Sequence, residues 1–131
     1  DSFSVIMRKE LVNPKNLIKD SFTFIKNNYK KFNFHIVSGS DQEELRFLSK
    51  KLNIEKYFKT ICGSPTEKSI LEKNILNRYD IGLENYCLVG DSINDYEAAK
   101  KNGIRFYCYN NKKIRDLDFN IINFSNFQPF S

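Results

Sequence analysis

The stretch "CLVGDSINDYEAAKKNG" runs from Cys87 to Gly103 and carries an apolar run into a segment of helical composition that stops at a glycine. A short buried strand followed by a helix fits that pattern. Lys100 and Lys101 fall in the last turn, where cations suit the helix dipole, and Gly103 is the usual stop residue. Two aspartates, Asp91 and Asp95, stand where the strand gives way to the helix. One acid there is explained by capping, because a carboxylate accepts free N–H groups and complements the dipole. Capping needs only one of them. Two hard oxygen ligands converging beyond a strand end, with water and a substrate phosphate in the remaining positions, match how Mg²⁺ is usually held.

The same alternation continues on both sides of this stretch. Asn13 and Pro14 read as an N-cap and first residue for "PKNLIKDSFTFIKNNYKK", with Leu17, Ile18, Phe22, Ile25 and Tyr29 at helical spacing. "FNFHIVSGS" reads as a strand ending in a small polar loop, and "DQEELRFLSKKLNIEKYF" as a helix with Leu45, Leu48 and Leu52 on one face. "KTICGS" is a brief strand, and "TEKSILEKNILNRY" a helix with Ile70, Leu71, Ile75 and Leu76 inward. "IRFYCYN" and "LDFNIINF" supply two further strands. Strands that are continuous apolar runs, separated by amphipathic helices, predict an α/β fold with a Rossmann-like parallel sheet and helices on both faces.

In such sheets ligands bind beyond the carboxyl ends of the strands, near the reversal of strand order. Three polar loops would open there: "SGSD" after Val37, "GSPTEK" after Cys62 and "GDSIND" after Val89. Ser38, Gly39 and Ser40 offer hydroxyls and backbone N–H groups beside a helix start, a modest phosphate or carboxylate site. Small residues also close strand-to-helix turns for steric reasons alone. Lys68 stands near the start of its helix, where a cation opposes the dipole, so helix stabilisation does not explain it. It could neutralise phosphate oxygens or hold a nearby carboxylate, and it could equally be a solvated surface side chain.

At 131 residues, 40% hydrophobic and 15% aromatic, the chain can bury one core. No apolar run approaches the roughly 20 residues that span a bilayer, and the start lacks the marks of a signal peptide. A soluble cytoplasmic protein without a membrane partner is the expectation. Cys62, Cys87 and Cys108 lie in apolar runs without paired spacing and read as small buried hydrophobes. His35, the single histidine, reads as a satisfied strand residue. The net charge of +5 is placed largely in lysine pairs near helix ends. With no stacking motif, zinc-finger spacing or helix-turn-helix signal, no nucleic-acid partner is expected. Oligomeric state is left open.

Taken together, these residues resemble the haloacid dehalogenase superfamily, most of whose members are Mg²⁺-dependent phosphatases. "FHIVSGS" resembles its second motif, carried by Ser38; Lys68 in "GSPTEKSILEKNI" resembles the third; "CLVGDSINDYEAAKKNGI" resembles the fourth, with Asp91 and Asp95 as the acidic pair. The resemblance implies a small phosphorylated substrate, such as a sugar phosphate. It implies that Ser38 and Gly39 bind the phosphoryl group and that Lys68 offsets its charge and steadies the nucleophile. Asp91 and Asp95 would hold Mg²⁺, with Lys68 and Asp91 counted as catalytic. The family reaction is attack by an aspartate, giving an aspartyl-phosphate that water hydrolyses.

The family's first motif, Asp-x-Asp on a central first strand, is not found here. Phe3, Ile6, Met7 and Leu11 have helical spacing, so residues 1–12 are expected to be the last helix of a cap or linker, with the core over 13–131. The core would then be incomplete at its N-terminus, with a hole in the sheet and the nucleophile upstream. The 131 residues alone are expected to be inactive. The alternatives are a phosphomutase or dehalogenase on the same scaffold, or a catalytically inactive phosphate-binding or regulatory domain.

Overall fold

Five consecutive buried residues, Ser4–Arg8, form strand β1 in the computed structural model, which describes residues 3–8, 19–79, 81–90, 92–109, 119–121 and 129–130. This corrects the expected helix. Phe3, Ile6 and Met7 do have helical spacing, but "SVIMR" is also a continuous run buried on both faces, and a run that short fits either period. Burial between two neighbouring strands decides it: Ser4 to Arg8 pair in parallel with Asn33 to Val37, and Ser4 to Met7 with Tyr86 to Val89. The expected hole in the sheet is therefore filled, by β1 itself.

The remaining elements alternate as the sequence pattern predicts. They are α1 (Lys19–Asn28), β2 (Asn33–Asp41), α2 (Gln42–Lys51), β3 (Thr60–Ser64), α3 (Lys68–Arg78), β4 (Tyr86–Gly90), α4 (Ile93–Asn102), β5 (Arg105–Tyr109) and β6 (Phe119–Ile121). The six strands are ordered β3-β2-β1-β4-β5-β6, and every described pairing is parallel. The chain winds outward from β1 to β3, then returns to the other side of β1 at β4. That reversal puts the ligand crevice at the carboxyl ends of β1, β2 and β4.

Each strand divides its side chains between two layers. Ile6, Val37, Leu88 and Phe106 pack with Leu71 and Ile75 of α3 and Ala99 of α4. Val5, Met7, Phe34, Cys87 and Val89 pack on the other face with Phe24 and Ile25 of α1. Ile36 meets Leu45 of α2 and Ile54 there. Helices thus cover both faces. Among the described residues, no helix is long and apolar enough to cross a membrane.

The local signals explain most boundaries. Asp41 caps α2 by accepting the Glu44 N–H at 3.1 Å. Gly103 closes α4 at φ 69, a left-handed conformation that costs glycine little. The expected cap at Asn13 and Pro14, with Leu17 and Ile18, lies outside the described residues. Ile25 is buried, whereas Tyr29 lies past the end of α1. Ile70, expected inward, is 47% exposed, because Leu71 and Ile75 define the stripe of α3 that meets the sheet.

None of the three cysteines is in a disulfide, and Cys87 and Cys108 are buried. Burial raises the Cys87 thiol pKa well above its ordinary value, only partly opposed by Arg105, so it stays protonated. His35 is buried in mid-strand with Nδ1 2.9 Å from Thr60 Oγ1.

Candidate functional site

Side chains alternate along β1, so Arg8 points to the same face as Ile6, toward α3 and α4. There its guanidinium lies between two carboxyl groups. Nη1 donates to Asp95 Oδ1 at 2.9 Å, Nη2 donates to Glu72 Oε1 at 2.9 Å, and Nε donates to Glu72 Oε2. The pair with Glu72 is bidentate, the geometry to which the planar guanidinium is best suited. Glu72 is fully buried and Asp95 is 3% exposed. Burial alone would lower the Arg8 pKa, but Glu72 and then Asp95 more than offset this and hold it above its ordinary value. It stays charged.

Asp95 has a second task. Its Oδ2 accepts the Ser92 N–H at 3.2 Å while Ser92 Oγ accepts the Asp95 N–H at 3.1 Å, a capping box at the start of α4. Gly90 makes room for this. A Cβ at Gly90 would sit 2.5 Å from Asp95 Cβ and 2.6 Å from Asp95 Oδ2. We expect Gly90→Ala to push Asp95 off both Arg8 and Ser92 and to cost about 1–3 kcal/mol. Urea denaturation checks this, and its effect should be less than additive with that of Asp95→Asn because both break the same contacts.

Ser38 lies on β2, one residue past the Val37 that pairs with Arg8. It is buried, and its hydroxyl accepts the Ser40 N–H at 3.0 Å, which tightens the end of β2 just before α2. Gly39 is exposed there, so the polar loop expected after Val37 is instead the end of β2, where its pairing with β3 shifts register. The end of β3 is fastened to the same place. Gln42 Oε1 accepts the Gly63 N–H at 2.6 Å, and a Cβ on Gly63 would collide with the Ser40 carbonyl oxygen. Lys68 is the first residue of α3, one helical turn before Glu72.

Of the residues singled out from the sequence, Ser38, Gly39, Lys68 and Asp95 all lie at the carboxyl ends of strands or at the helix starts that follow them. Asp91 lies outside the described residues. Arg8 and Glu72 were not anticipated. A signal existed for Glu72: it is three residues before Ile75 and four after Lys68, beside the inward stripe of its helix. For Arg8 the only signal was a charge closing an apolar run.

This arrangement bears on the expected Mg²⁺. Among the described residues there is no group of three His, Cys, Asp or Glu side chains that could hold a metal. One oxygen of Asp95 faces Arg8 and the other caps α4. A divalent ion about 4 Å from the guanidinium would meet a repulsion of about 8 kcal/mol at an effective dielectric constant of about 20. Mg²⁺ does not fit at Asp95 while Arg8 is seated there.

Comparison with known proteins follows the same outline. The model of a family described as "Haloacid dehalogenase-like hydrolase" matches residues 2–109. No curated protein matches the chain. Among solved structures, a HAD-superfamily hydrolase from Ehrlichia chaffeensis is similar at 21% identity and TM-score 0.69, covering 82% of this chain and 54% of its own. A haloacid dehalogenase-like hydrolase from Streptococcus pneumoniae is similar at 20% identity and TM-score 0.64, covering 71% and 46%. D,D-heptose 1.7-bisphosphate phosphatase from B. bronchiseptica, complexed with magnesium and phosphate, is similar at 16% identity and TM-score 0.68, covering 94% of both chains. The matches thus span about half the length of the first two of these proteins. At these identities the likeness is one of fold.

Proposed function

Because the chain belongs to the family of haloacid dehalogenase-like hydrolases, we propose that it is the core of a phosphatase acting on a small phosphorylated metabolite, a sugar phosphate being one candidate. What supports the reading is one observation: Ser38, Gly39, Lys68 and Asp95 fall at one edge of the sheet, beside the switch point. In this proposal the Ser38 hydroxyl and the Gly39 N–H bind phosphoryl oxygens. Lys68 offsets their charge, and Asp91 completes the site. In the family reaction a carboxylate at the end of the central strand forms a bond to phosphorus as the ester oxygen leaves with a proton, and water then hydrolyses the acyl phosphate. Here that strand ends in Arg8, so an attacking carboxylate has to come from another element of the site. Mg²⁺ belongs to the proposal through Asp91, and reaches Asp95 only with Arg8 withdrawn. A cytoplasmic setting suits three cysteines of which none is in a disulfide.

One observation favours a second reading, a phosphate-binding domain without turnover. The central strand ends in Arg8, which cannot serve as a nucleophile. Hydrolysis of an aryl phosphate separates the two. The first reading expects turnover that falls by about 10²–10³ in Lys68→Ala. Phosphate binding with no turnover would favour the second. Turnover unchanged by both Lys68→Ala and Asp91→Asn would sink the site assignment.

A further inference from the structure

We propose that an aromatic cleft at the amino-terminal ends of β2 and β3 is a binding site for a free mononucleotide, its base held against aromatic rings and its phosphate by lysines. The site does not depend on the phosphatase reading. It lies at the opposite end of the sheet from Ser38 and Gly39. Asn33, which opens β2, belongs to its lining, and five strand residues put Ser38 about 16 Å away.

The cleft encloses about 410 Å³, within the roughly 300–1,000 Å³ of small-molecule sites. Phe32 and Phe34 give it buried rings, while Tyr29 is exposed and Tyr57 half-buried. The two tyrosine rings meet edge to face, with centroids 4.9 Å apart and planes at 70°. The charged residues of the lining are Lys30, Lys56 and Lys59, and no acid joins them among the described residues. Lys30 Nζ is 5.9 Å from the centre of the Tyr29 ring and Lys56 Nζ 5.3 Å from that of Tyr57, so the cations border the same rings. Lys56 and Lys59 lie between α2 and β3, beyond the last turn of α2, so its dipole does not account for them.

Accessible rings in a concave place bordered only by cations suit a ligand that is flat and apolar on its faces and anionic at one end. A nucleobase offers such a face to any aromatic ring, and lysine takes its phosphate as a point charge. A nucleic-acid strand would need a basic groove tracking its backbone, whereas this is a bounded cavity. The occupant is therefore a free nucleotide.

The test titrates the full 131-residue chain with AMP, adenosine or ribose 5-phosphate, with no divalent ion added, and follows the Tyr29 and Tyr57 ring resonances by NMR. AMP is expected to shift both saturably with a Kd of about 1 mM or tighter. Adenosine and ribose 5-phosphate, each lacking half of what is recognised, should bind at least about tenfold more weakly. Lys30→Glu with Lys56→Glu, both at exposed positions, should weaken AMP at least about tenfold, and Lys68→Ala should leave its affinity unchanged. Tyrosine rings unmoved by about 10 mM AMP would overturn the proposal, as would equal affinity for AMP and either of its fragments. AMP binding lost in Lys68→Ala but kept in the double variant would also overturn it, by placing the nucleotide at the other end of the sheet. A single-stranded oligonucleotide whose affinity rises with its length would overturn the choice of a free nucleotide. The three wild-type titrations decide the matter even if the double variant does not fold.

Discussion

Glu72→Ala is expected to destabilise the chain by about 3 kcal/mol, the low end of the 3–5 kcal/mol that follows from breaking a buried ion pair. The choice of that range over the 0–1 kcal/mol of a surface pair rests on burial, since Glu72 is 0% exposed and Arg8 8%. The charge left behind cannot reach water, and two guanidinium donors lose their acceptors together. Asp95 still takes one donor, which keeps the loss at the low end. Glu72→Gln should cost less than Glu72→Ala, because the amide oxygen still accepts from one nitrogen. Urea midpoints with an unchanged m-value would measure both. A loss under about 1 kcal/mol for Glu72→Ala would mean that the pair is wet and worth no more than a surface contact.

How much of this was legible beforehand depends on whether a feature lies along the chain or across it. The parallel sheet, the helices on both faces and the strand-to-helix turn at Gly90 could all be read from local patterns. Each is encoded by neighbours in sequence: an apolar run, a cap, a stop glycine. Asp95 was legible for the same reason, since it begins a helix just after a strand. Its principal partner was not. Arg8 and Asp95 are 87 residues apart, and Arg8 and Glu72 are 64 apart. No local pattern says that the end of the first strand will face two helix starts.

The N-terminal strand shows the opposite failure. Its five residues are local, but a run that short supports both periods, and a resemblance to a family whose core carries a cap favours a helix there. Only the pairing of Ser4 to Arg8 with neighbours on each side settles it. A charged residue closing "SVIMR" then becomes informative, because a buried arginine needs carboxyl groups nearby. Glu72 and Asp95 supply them.

The second large effect is on pH dependence. Stability should fall by about 3 kcal/mol as pH drops from about 6.5 to about 4, through His35 alone. His35 is fully buried on β2; burial first, then the positive charges of Lys59 and Arg78, lower its pKa from 6.5 to about 4. The folded state therefore keeps the ring neutral in a range where the unfolded chain protonates it. Protons bind the unfolded state more readily there, so stability is full above about pH 6.5 and is lost as pH falls toward 4. Below that, both states carry the proton and the loss from this group levels off. Nδ1 is satisfied by Thr60 at 2.9 Å, while Nε2 has no hydrogen-bond partner among the described residues, so none of these offers a buried acceptor to stabilise an added proton there. Carboxylates also titrate in this window, which makes the difference between wild type and His35→Gln the informative quantity. Glutamine does not titrate and can still bond Thr60. The urea midpoints of the two proteins should converge as pH falls from 7 to 4, with wild type losing more. Parallel curves would show that His35 takes up its proton in the folded state as easily as in the unfolded one, and that its burial does not control its charge.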